Sequence, residues 1–527
     1  MFIESCALTD GAVVEADLCI LGSGPAGLAI ARELLGSGLR VVVLEAGGKA
    51  VSWRAQALYR AEAIGAPNHA ATHSRFRTYG GSATRWTGQC VPLETIDFER
   101  RSAVPDSGWP FGADELRPWY ERAGELLGLV PPENLRDEPE QDIAAADPAL
   151  ARTLIRFARP TDLGAHLEAT FAASRDVDVL LDANVLEIVA GGMDRQVTHV
   201  ACRGASGRRF TCRATRFVLA CGGIENARLL LASRSRTPAG LGNERDVVGR
   251  YFHDHPYLVG GYWRPSATAT TRGLHVIDDF ERIARERCAH SALTLVPEIR
   301  RREGLAACVG YFVHRDAWQL APDYHAPGGR AVVHAAELLR GERVPDRDIV
   351  TSLRALAGNP GPAVRTIGRA LAARGHSEPR LALRMVLESA PHRDSRVTLG
   401  GATDTFGMPR AVVDWRIGND DWRGAARLRT TLARAIRTNG LGELVEDHAT
   451  DDAGWPISLS GGKHHMGTTR MHENPALGVV DANACVHSLE NLFVAGSSVF
   501  PTGGWANPTL TIVALAIRLA DHLRRTT

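Results

Sequence analysis

The sequence contains almost no lysine and carries almost no net charge. Among its 61 basic residues, Lys49 and Lys463 are the only lysines, a bias that we attribute to composition rather than to function. The 60 acidic residues leave a net charge of +1. Because there is no excess of positive charge, we expect neither nucleic acid nor an anionic membrane as a partner.

Cysteine spacing argues against disulfides and zinc. The nine cysteines are odd in number and scattered, and no C-x-x-C occurs. We therefore predict a reducing compartment and a cytoplasmic location. His253 and His255 flank Asp254, but an H-x-H pattern without H-E-x-x-H does not indicate a metal site, so no metal is predicted.

Long hydrophobic runs are also missing. The N-terminus has no basic segment followed by an apolar core, so we predict no secretory signal. The most apolar late stretch, residues 510–520, is too short to cross a membrane and contains Arg518. We expect this stretch to form a buried helix.

The strongest motif that is present lies near the N-terminus. An apolar, strand-like run precedes the G-x-G-x-x-G glycines Gly22, Gly24 and Gly27, and a helical pattern and a second strand at 40–44 follow. Gly22 suits the tight turn, Gly24 the approach of a pyrophosphate, and Gly27 close packing of helix on strand. Glu45 is placed to bind a ribose hydroxyl, and a carboxylate there disfavours NADP.

This motif alone does not separate FAD from NAD, and a glycine turn without a ligand is the alternative. Two later stretches favour a dinucleotide. Gly80 and Gly81 open a loop in which backbone can approach a flat ligand, although an ordinary surface loop would look the same. Gly222 follows a buried strand at 217–221 and precedes a helix at 225–232, as in a doubly wound sheet.

The chain divides into two interleaved parts and is predicted to be an α/β protein. Short alternating runs between residues 257 and 455 predict an antiparallel sheet with turns at Gly400–Gly401 and at 406–409, and helical segments are expected within 331–371. Asp114 is the expected N-cap of a helix that runs to residue 127. Strand and glycine signals resume after residue 460. The predicted domains are a Rossmann-like domain of residues 1–100, 150–256 and 456–527, and an inserted substrate-binding domain of residues 101–149 and 257–455.

Two late stretches bear on the chemistry. The first contains the adjacent histidines His464 and His465. The second follows a buried strand at 491–496 and places Asn507 before Pro508, which fits the first turn of a helix because proline lacks an N–H group. Considered by themselves, two adjacent histidines are more often structural than catalytic.

With these motifs in place, the sequence resembles the glucose-methanol-choline (GMC) oxidoreductase family of FAD enzymes. The resemblance rests on G-x-G-x-x-G with E-A-G, the Gly80–Gly81 loop, G-W-P-F, A-C-G-G-I-E-N-A-R-L-L-L, V-G-R-x-F-x-D-H-P, S-R-V-T-L, H-x-x-G-T-x-R-M, and N-L-F-V-A-G-S-S with N-P-T-L-T. Their order matches from end to end, and the late motifs look most like the pyranose-oxidase-like branch. This implies a GMC architecture of the p-hydroxybenzoate-hydroxylase type, with FAD as cofactor.

The resemblance implies that His464, three residues before Gly467, and Asn507 face the flavin N5. His464 would be the general base, a role worth roughly 10²- to 10⁴-fold in rate. Asn507 would hold the substrate oxygen as it becomes alkoxide-like. The helix after Pro508 would direct its positive end at the reduced flavin. His465 would orient its neighbour or fill space.

The residues predicted to hold FAD lie in the same motifs. They are Gly22, Gly24, Gly27, Glu45, Gly80, Gly81, Thr84, Arg85, Thr87, Val185, Gly222, Gly496, Ser497, Pro508 and Thr509. Some family members attach FAD through a histidine at the position of Arg85, so we predict non-covalent FAD here. Many members have an aspartate where this chain has Gly496 and Ser497, which leaves the contacts at that point open.

The predicted function is FAD-dependent oxidation of a hydroxyl group on a sugar, aminosugar, polyol or related small molecule, by hydride transfer to flavin N5. The alternative is a non-redox lyase of the hydroxynitrile-lyase type on the same fold. The electron acceptor, whether oxygen, a quinone or a protein, stays open. Arg384 and Glu388 share one face of a predicted strand and would either meet substrate or form a structural ion pair.

Overall fold

A computed structural model of the chain describes residues 1–66, 71, 74–102, 104–135, 143–191, 195–267, 269, 271, 274, 276–277, 288–315, 331–332, 335, 356–358, 360–361, 363–368, 380–446, 450, 454–456 and 458–526. Its strands are β1 (Phe2–Glu4), β2 (Ala12–Leu21), β3 (Val41–Leu44), β4 (Glu62–Gly65), β5 (Gln89–Cys90), β6 (Leu150–Phe157), β7 (Val177–Leu181), β8 (Ala183–Ala190), β9 (Val197–Gly204), β10 (Arg209–Leu219), β11 (Pro256–Pro265), β12 (Val276–Ile277), β13 (Ala289–Leu295), β14 (Cys308–Arg315), β15 (Arg380–Leu387), β16 (Arg396–Thr403), β17 (Pro409–Trp415), β18 (Gly442–Val445), β19 (Ser460–Gly461) and β20 (Leu492–Val494). Its main α-helices are α1 (Pro25–Glu33), α2 (Trp53–Ala57), α3 (Ala113–Leu126), α4 (Leu163–Ala173), α5 (Glu225–Ala232), α6 (Pro297–Glu303), α7 (Asn419–Thr438) and α8 (Thr509–Arg525).

The first sheet is mainly parallel and contains the strands of the glycine motifs. Its order is β1-β7-β3-β2-β10, with β20 pairing parallel to β10, while β9 and β8 continue the sheet antiparallel. All four residues of β3 and the last four of β2 are buried, as expected for parallel strands covered on both faces. Helix α8 packs against α1 and α3.

The second sheet has nine strands in the order β18-β11-β15-β14-β13-β6-β5, with β19 on β11 and β12 on β14. Its strands pair antiparallel except β12 with β14. On one face, Leu428 and Leu432 of α7 pack with Leu383 of β15. On the other face, Tyr311 and Val386 belong to the same core as the first sheet. This second face is therefore the one turned toward the glycine motifs.

A small third sheet joins distant parts of the chain. It has the order β16-β17-β4, with β17 antiparallel to β16 and parallel to β4. The turn between β16 and β17 is closed by the Asp404 N–H, which donates to the Met408 carbonyl at 2.9 Å. Gly407 has a positive φ of 85° there, so the predicted turn at residues 406–409 is confirmed.

Sheet pairing differs from the sequence prediction at two places. Strand β6 was assigned to the Rossmann-like domain, but it pairs with β13 in the large antiparallel sheet. Gly400 and Gly401 do not form the predicted turn, because they lie inside β16, where the register with β17 shifts between Leu399 and Thr403. Glycine inside a strand often marks such an irregularity.

The helices differ in smaller ways. Gly112, not Asp114, is the N-cap of α3, and Asp114 lies in the first turn, where its charge suits the helix dipole. The predicted buried helix at 510–520 is confirmed by α8. Much of the predicted helical region at 331–371 lies outside the described residues. Within the described part of the chain, no helix is long and apolar enough to cross a membrane.

Candidate active site

The site is built where four neighbouring parallel strands end. Strands β3, β2, β10 and β20 lie side by side, and their carboxyl ends lead into Glu45, Gly22, Gly222 and Gly496. Ligands of doubly wound sheets bind at this edge, next to the first glycine turn. The fold thus brings together predicted residues that lie up to several hundred positions apart in sequence.

The three glycines of the first motif each meet a different steric demand. Gly22 has a φ of 107°, and a side chain there would come within 2.6 Å of the Ala220 carbonyl oxygen. A side chain at Gly27 would overlap with the carbonyl of Gly22, so α1 can approach the turn only with glycine. Around Gly24 nothing lies within 4 Å of that position. The turn therefore leaves open space at the start of α1, whose N-cap has no capping side chain.

Glu45 stands beside this turn and is held in place. Its Oε2 accepts hydrogen bonds from the Ser23 hydroxyl at 2.6 Å and the Ser23 N–H at 3.1 Å, and its Oε1 accepts from the Gly47 N–H at 2.8 Å. Burial raises the pKa of Glu45, and these three donors oppose the rise. An ionised carboxylate has lone pairs left after three bonds, so it retains capacity for a ribose hydroxyl.

The Gly80–Gly81 loop lies against the first glycine turn. Both glycines have positive φ, and a side chain at Gly81 would come within 2.9 Å of the Gly24 Cα. The Thr84 hydroxyl donates to the Gly81 carbonyl at 2.9 Å within the short 3₁₀-helix Gly81–Arg85. Arg85, in this 3₁₀-helix, and Thr87, two residues further on, are both exposed. The structure therefore places Gly80 and Gly81 against the turn, with Thr84 bonded to Gly81.

The remaining predicted cofactor residues are spread over several elements. Gly222 and Gly496 have φ angles of 86° and 105°, and at neither would a side chain meet an atom within 4 Å. The Ser497 hydroxyl donates to the His465 carbonyl at 2.6 Å. Val185, in β8, pairs with Cys202 of β9. Pro508 caps α8, which begins at Thr509.

His464 and Asn507 are brought together across 43 residues of sequence. His464 Nε2 lies 3.4 Å from Asn507 Nδ2, and on the other side of the ring His464 Nδ1 lies 2.9 Å from Nδ1 of His255. Burial, and then the neighbouring His255, lower the pKa of His464 to about 3. The imidazole is therefore neutral at physiological pH and has a lone pair available.

His255 and Asp254 were not predicted as site residues, yet they fix the position of His464. Asp254 is fully buried, and its Oδ1 accepts from the backbone N–H of His464 at 2.8 Å and of His255 at 2.7 Å. Its Oδ2 accepts from the Lys463 N–H at 3.1 Å. Burial lowers the pKa of His255 to about 4, so this ring is also neutral. The D-H-P motif was the available signal, but its histidine had been considered only as a metal ligand.

His465 has a separate environment from its neighbour. Its Nε2 lies 3.2 Å from the Ser74 hydroxyl, and its ring is 5.9 Å from that of Phe252. In the described residues there is no group of three or more His, Cys, Asp or Glu arranged to hold a metal ion. The His253 ring instead hydrogen-bonds through Nδ1 to the Tyr251 carbonyl at 2.9 Å.

The antiparallel sheet covers this pair with Tyr257. The ring centroids of Tyr257 and His464 are 6.2 Å apart, and the Tyr257 hydroxyl shares a hydrogen bond with the Asn507 side chain. Burial raises the pKa of Tyr257, so the hydroxyl keeps its proton. The Arg384 guanidinium lies 4.7 Å from the Tyr257 ring centroid. Sequence reasoning had singled out Arg384 but not Tyr257.

Glu388, the other residue singled out on that strand, forms an ion pair. Its two oxygens accept from Arg101 at 2.5 and 2.7 Å, and Oε2 also accepts from the Ala307 N–H at 2.9 Å. Burial would raise the pKa of Glu388, but Arg101 and Arg300 hold it at about 2. Of the two roles predicted for Glu388, substrate contact or a structural ion pair, the structure therefore shows the ion pair.

Two family models match the chain. The GMC oxidoreductase model matches residues 391–516, and the FAD dependent oxidoreductase model matches residues 17–240. The first match includes both members of the His464–Asn507 pair, and the second includes the glycine turn, Glu45 and the Gly80–Gly81 loop.

Characterised relatives extend over nearly the whole chain. The chain is 25% identical to paromamine 6'-oxidase from Streptomyces fradiae, covering 96% of this chain and 90% of that protein. It is 24% identical to 2-methyl-1,2-propanediol dehydrogenase from Mycolicibacterium austroafricanum, covering 97% and 95%.

Among solved structures, pyridoxine 4-oxidase from Mesorbium loti superimposes with a TM-score of 0.59 at 17% identity, covering 97% of this chain and 99% of that one. The predicted fold class is confirmed. The family resemblance drawn from the sequence motifs is confirmed as well. Residues 391–516 thus match the GMC oxidoreductase model, and the chain is an FAD-dependent enzyme that acts on CH–OH donors.

Proposed function

We propose that this enzyme oxidises a hydroxyl-bearing carbon of a small polyhydroxylated alcohol with His464 as general base and Asn507 as the residue that holds the reacting oxygen. The observation that carries the proposal is the contact of His464 Nε2 with Asn507 Nδ2, on an imidazole kept neutral by burial. Relatives named for oxidation of paromamine, a propanediol and fructose support an alcohol, diol or sugar as substrate. They give no support to the lyase alternative.

The surroundings of His464 select one tautomer. The Asn507 amide group donates toward Nε2, which must therefore carry a lone pair. His464 then carries its proton on Nδ1 and donates it to His255 Nδ1 at 2.9 Å. His255 then carries its own proton on the buried Nε2. The amide donor at Nε2 of His464 and the His255 acceptor at its Nδ1 together favour the tautomer in which Nε2 can act as a base.

A substrate hydroxyl bound between the two side chains would donate to His464 Nε2 and accept from Asn507 Nδ2. As His464 takes the proton, the oxygen gains negative charge, and the Asn507 amide stabilises that charge. Tyr257 holds the Asn507 side chain in position by sharing its hydrogen bond. Asp254 holds the backbone of His464, so the base is fixed before substrate arrives.

The residues around the open turn fit FAD. The free N–H groups at the start of α1, the open space at Gly24 and Gly222, and the carboxylate of Glu45 match a pyrophosphate and a ribose. When bound, FAD supplies the acceptor for the hydride that leaves the substrate carbon. We propose that this FAD is held without a covalent bond, and that the protein is cytoplasmic, which the nine free cysteines support.

The test compares flavin reduction in two variants at adjacent positions. Purified holoenzyme is mixed anaerobically with a panel of sugars, aminosugars, polyols and diols, and the loss of the flavin absorption band is followed. With a compound that bleaches the band, H464A is expected to slow bleaching by about 10²- to 10⁴-fold. H465N, at a position bonded to Ser74 rather than to Asn507, is the matched control and is expected to bleach nearly as fast as wild type. Equal effects in the two variants would contradict the assignment of His464.

A further inference from the structure

We propose that Arg384 binds a carboxylate of the substrate, so that the molecule oxidised is a polyhydroxylated acid rather than a neutral sugar or an aminosugar. This inference rests on the proposed function, because it assumes that the hydroxyl reacts between His464 and Asn507. It names the substrate class more narrowly than the relatives do.

Strand alternation places Arg384 on the face of the sheet that covers the catalytic pair. In the register of the sheet, Arg384 of β15 lies opposite Val259 of β11 and Tyr311 of β14. Tyr257 lies two residues before Val259 and therefore on the same face. Residues of the other face, such as Leu383, pack against α7. Arg384 therefore lies on the face of the antiparallel sheet that covers His464 and Asn507, and not on the face that packs against α7.

A single ring separates the guanidinium from the catalytic residues. Arg384 lies 4.7 Å from the centroid of Tyr257, whose ring is 6.2 Å from that of His464 and whose hydroxyl shares a hydrogen bond with Asn507. A group bound by Arg384 and a hydroxyl bound by His464 and Asn507 would therefore belong to one small molecule.

Among the described residues, Arg384 has no carboxylate partner, unlike three other arginines of the interior. Arg101, Arg228 and Arg300 each form ion pairs, with Glu388, Asp404 and Asp97 respectively. Arg384 is half-buried, and within the described part of the chain no carboxylate lies within 4.0 Å of it.

A guanidinium withdrawn from water is costly unless an anion pairs with it. Its planar fork matches a carboxylate with two parallel hydrogen bonds. A substrate carboxylate would supply the missing partner, whereas the ammonium group of an aminosugar would be repelled at the same place.

The experiment uses three probes that differ in one substituent or its charge: D-glucuronate, D-glucose and D-glucosamine. Anaerobic flavin reduction by the holoenzyme gives kcat/KM for each. We expect glucuronate to be preferred, and R384M to reduce the ratio of glucuronate to glucose by about 10- to 100-fold, mainly through KM, because charge-assisted hydrogen bonds are lost. R384K keeps the positive charge but loses the planar, forked guanidinium. Its glucuronate to glucose ratio is therefore expected to lie between those of wild type and R384M. R393M, which changes an exposed arginine 5.8 Å from the Tyr251 ring centroid, is the matched control and should leave the ratio unchanged.

A second measurement does not depend on turnover. Titration of the oxidised H464A holoenzyme, in which flavin reduction is slow, with D-glucuronate gives a dissociation constant from the shift of the flavin band, and adding R384M should raise this constant by a similar factor. A preference for glucose or glucosamine, or an equal loss for all three probes in R384M, would overturn the role of Arg384 while leaving the proposed function standing. If no hydroxyl compound of any charge bleached the flavin, the proposed function itself would fail, and this inference with it.

Discussion

Replacing His255 tests whether the tautomer of His464 is set by its neighbour. In H255L, the proton on His464 Nδ1 loses its acceptor at 2.9 Å, and water has little access to that position because His255 is buried and His464 is half-buried. A lost hydrogen bond costs about 0.5–1.5 kcal/mol, and a buried donor left without a partner about 1–3 kcal/mol. The tautomer with its proton on Nε2, which is not a base at that atom, then becomes competitive.

We therefore expect H255L to slow anaerobic flavin reduction by roughly 5- to 150-fold, less than removal of the base itself. The pH profile gives a second, independent readout. Burial is the first cause of the low pKa of His464, and His255 is the second. Without His255 the pKa of His464 rises, and because only the neutral imidazole accepts a proton, the acid limb of the rate profile moves to higher pH.

H255N separates this role from simple packing. The Oδ1 atom of asparagine can stand close to the position of His255 Nδ1 and accept the same hydrogen bond, so H255N should recover much of the rate lost in H255L. If H255L reduced its flavin at the wild-type rate with an unmoved acid limb, the tautomer argument would be wrong. If both variants lost the same rate, His255 would serve only to fill space. Thermal unfolding of both variants checks that each is folded.

Three further predictions follow from the fold and the cofactor site. Acid precipitation of the holoenzyme should release all of its FAD into the supernatant, whereas flavin that stayed with the pellet would contradict a non-covalent site. G27A should fold poorly and lose FAD affinity, because a methyl group would overlap with the Gly22 carbonyl; unchanged flavin content and melting temperature would refute this. E388Q should reduce the free energy of unfolding by about 3–5 kcal/mol in urea titration, because it leaves Arg101 buried with a weaker partner; a loss under about 1 kcal/mol would refute it.

Local patterns predicted the core of the first sheet because each part of its motif is sterically determined. Gly22 and Gly27 must be glycine in the observed backbone, and the apolar runs on either side must be buried strands. The same reasoning missed the place of β6. Its pairing with β13 joins residues about 140 positions apart, and nothing in its own sequence identifies that partner.

The pair that we propose is catalytic was identified through the family resemblance, since periodicity alone did not distinguish His464 from His465. His255 and Asp254 were missed because their role exists only in three dimensions. The backbone of His253 pairs with that of Met466, and this bridge brings the D-H-P segment beside the H-x-x-G-T segment. This contact cannot be read from the sequence, so His253 and His255 were considered there only as metal ligands.

The position of Asn507 depends on a buried cluster of charges that the sequence does not reveal. Asp97 binds Arg300 of the antiparallel-sheet region at 3.0 Å, and its backbone carbonyl accepts from the Thr502 hydroxyl at 2.8 Å. A side chain at Gly504 would overlap with the Asp97 carboxylate, so the loop before Asn507 lies directly against the cluster.

Glu388 and Arg101 extend this cluster along the face of the sheet that also carries Arg384. The cluster therefore connects the strand that we propose binds the substrate anion to the loop before Asn507, the residue that we propose holds the reacting oxygen. Breaking the ion pair between Glu388 and Arg101 should therefore change the distance between Arg384 and Asn507, as well as the stability of the fold. For E388Q this predicts a change in the glucuronate to glucose ratio that exceeds the change in flavin content.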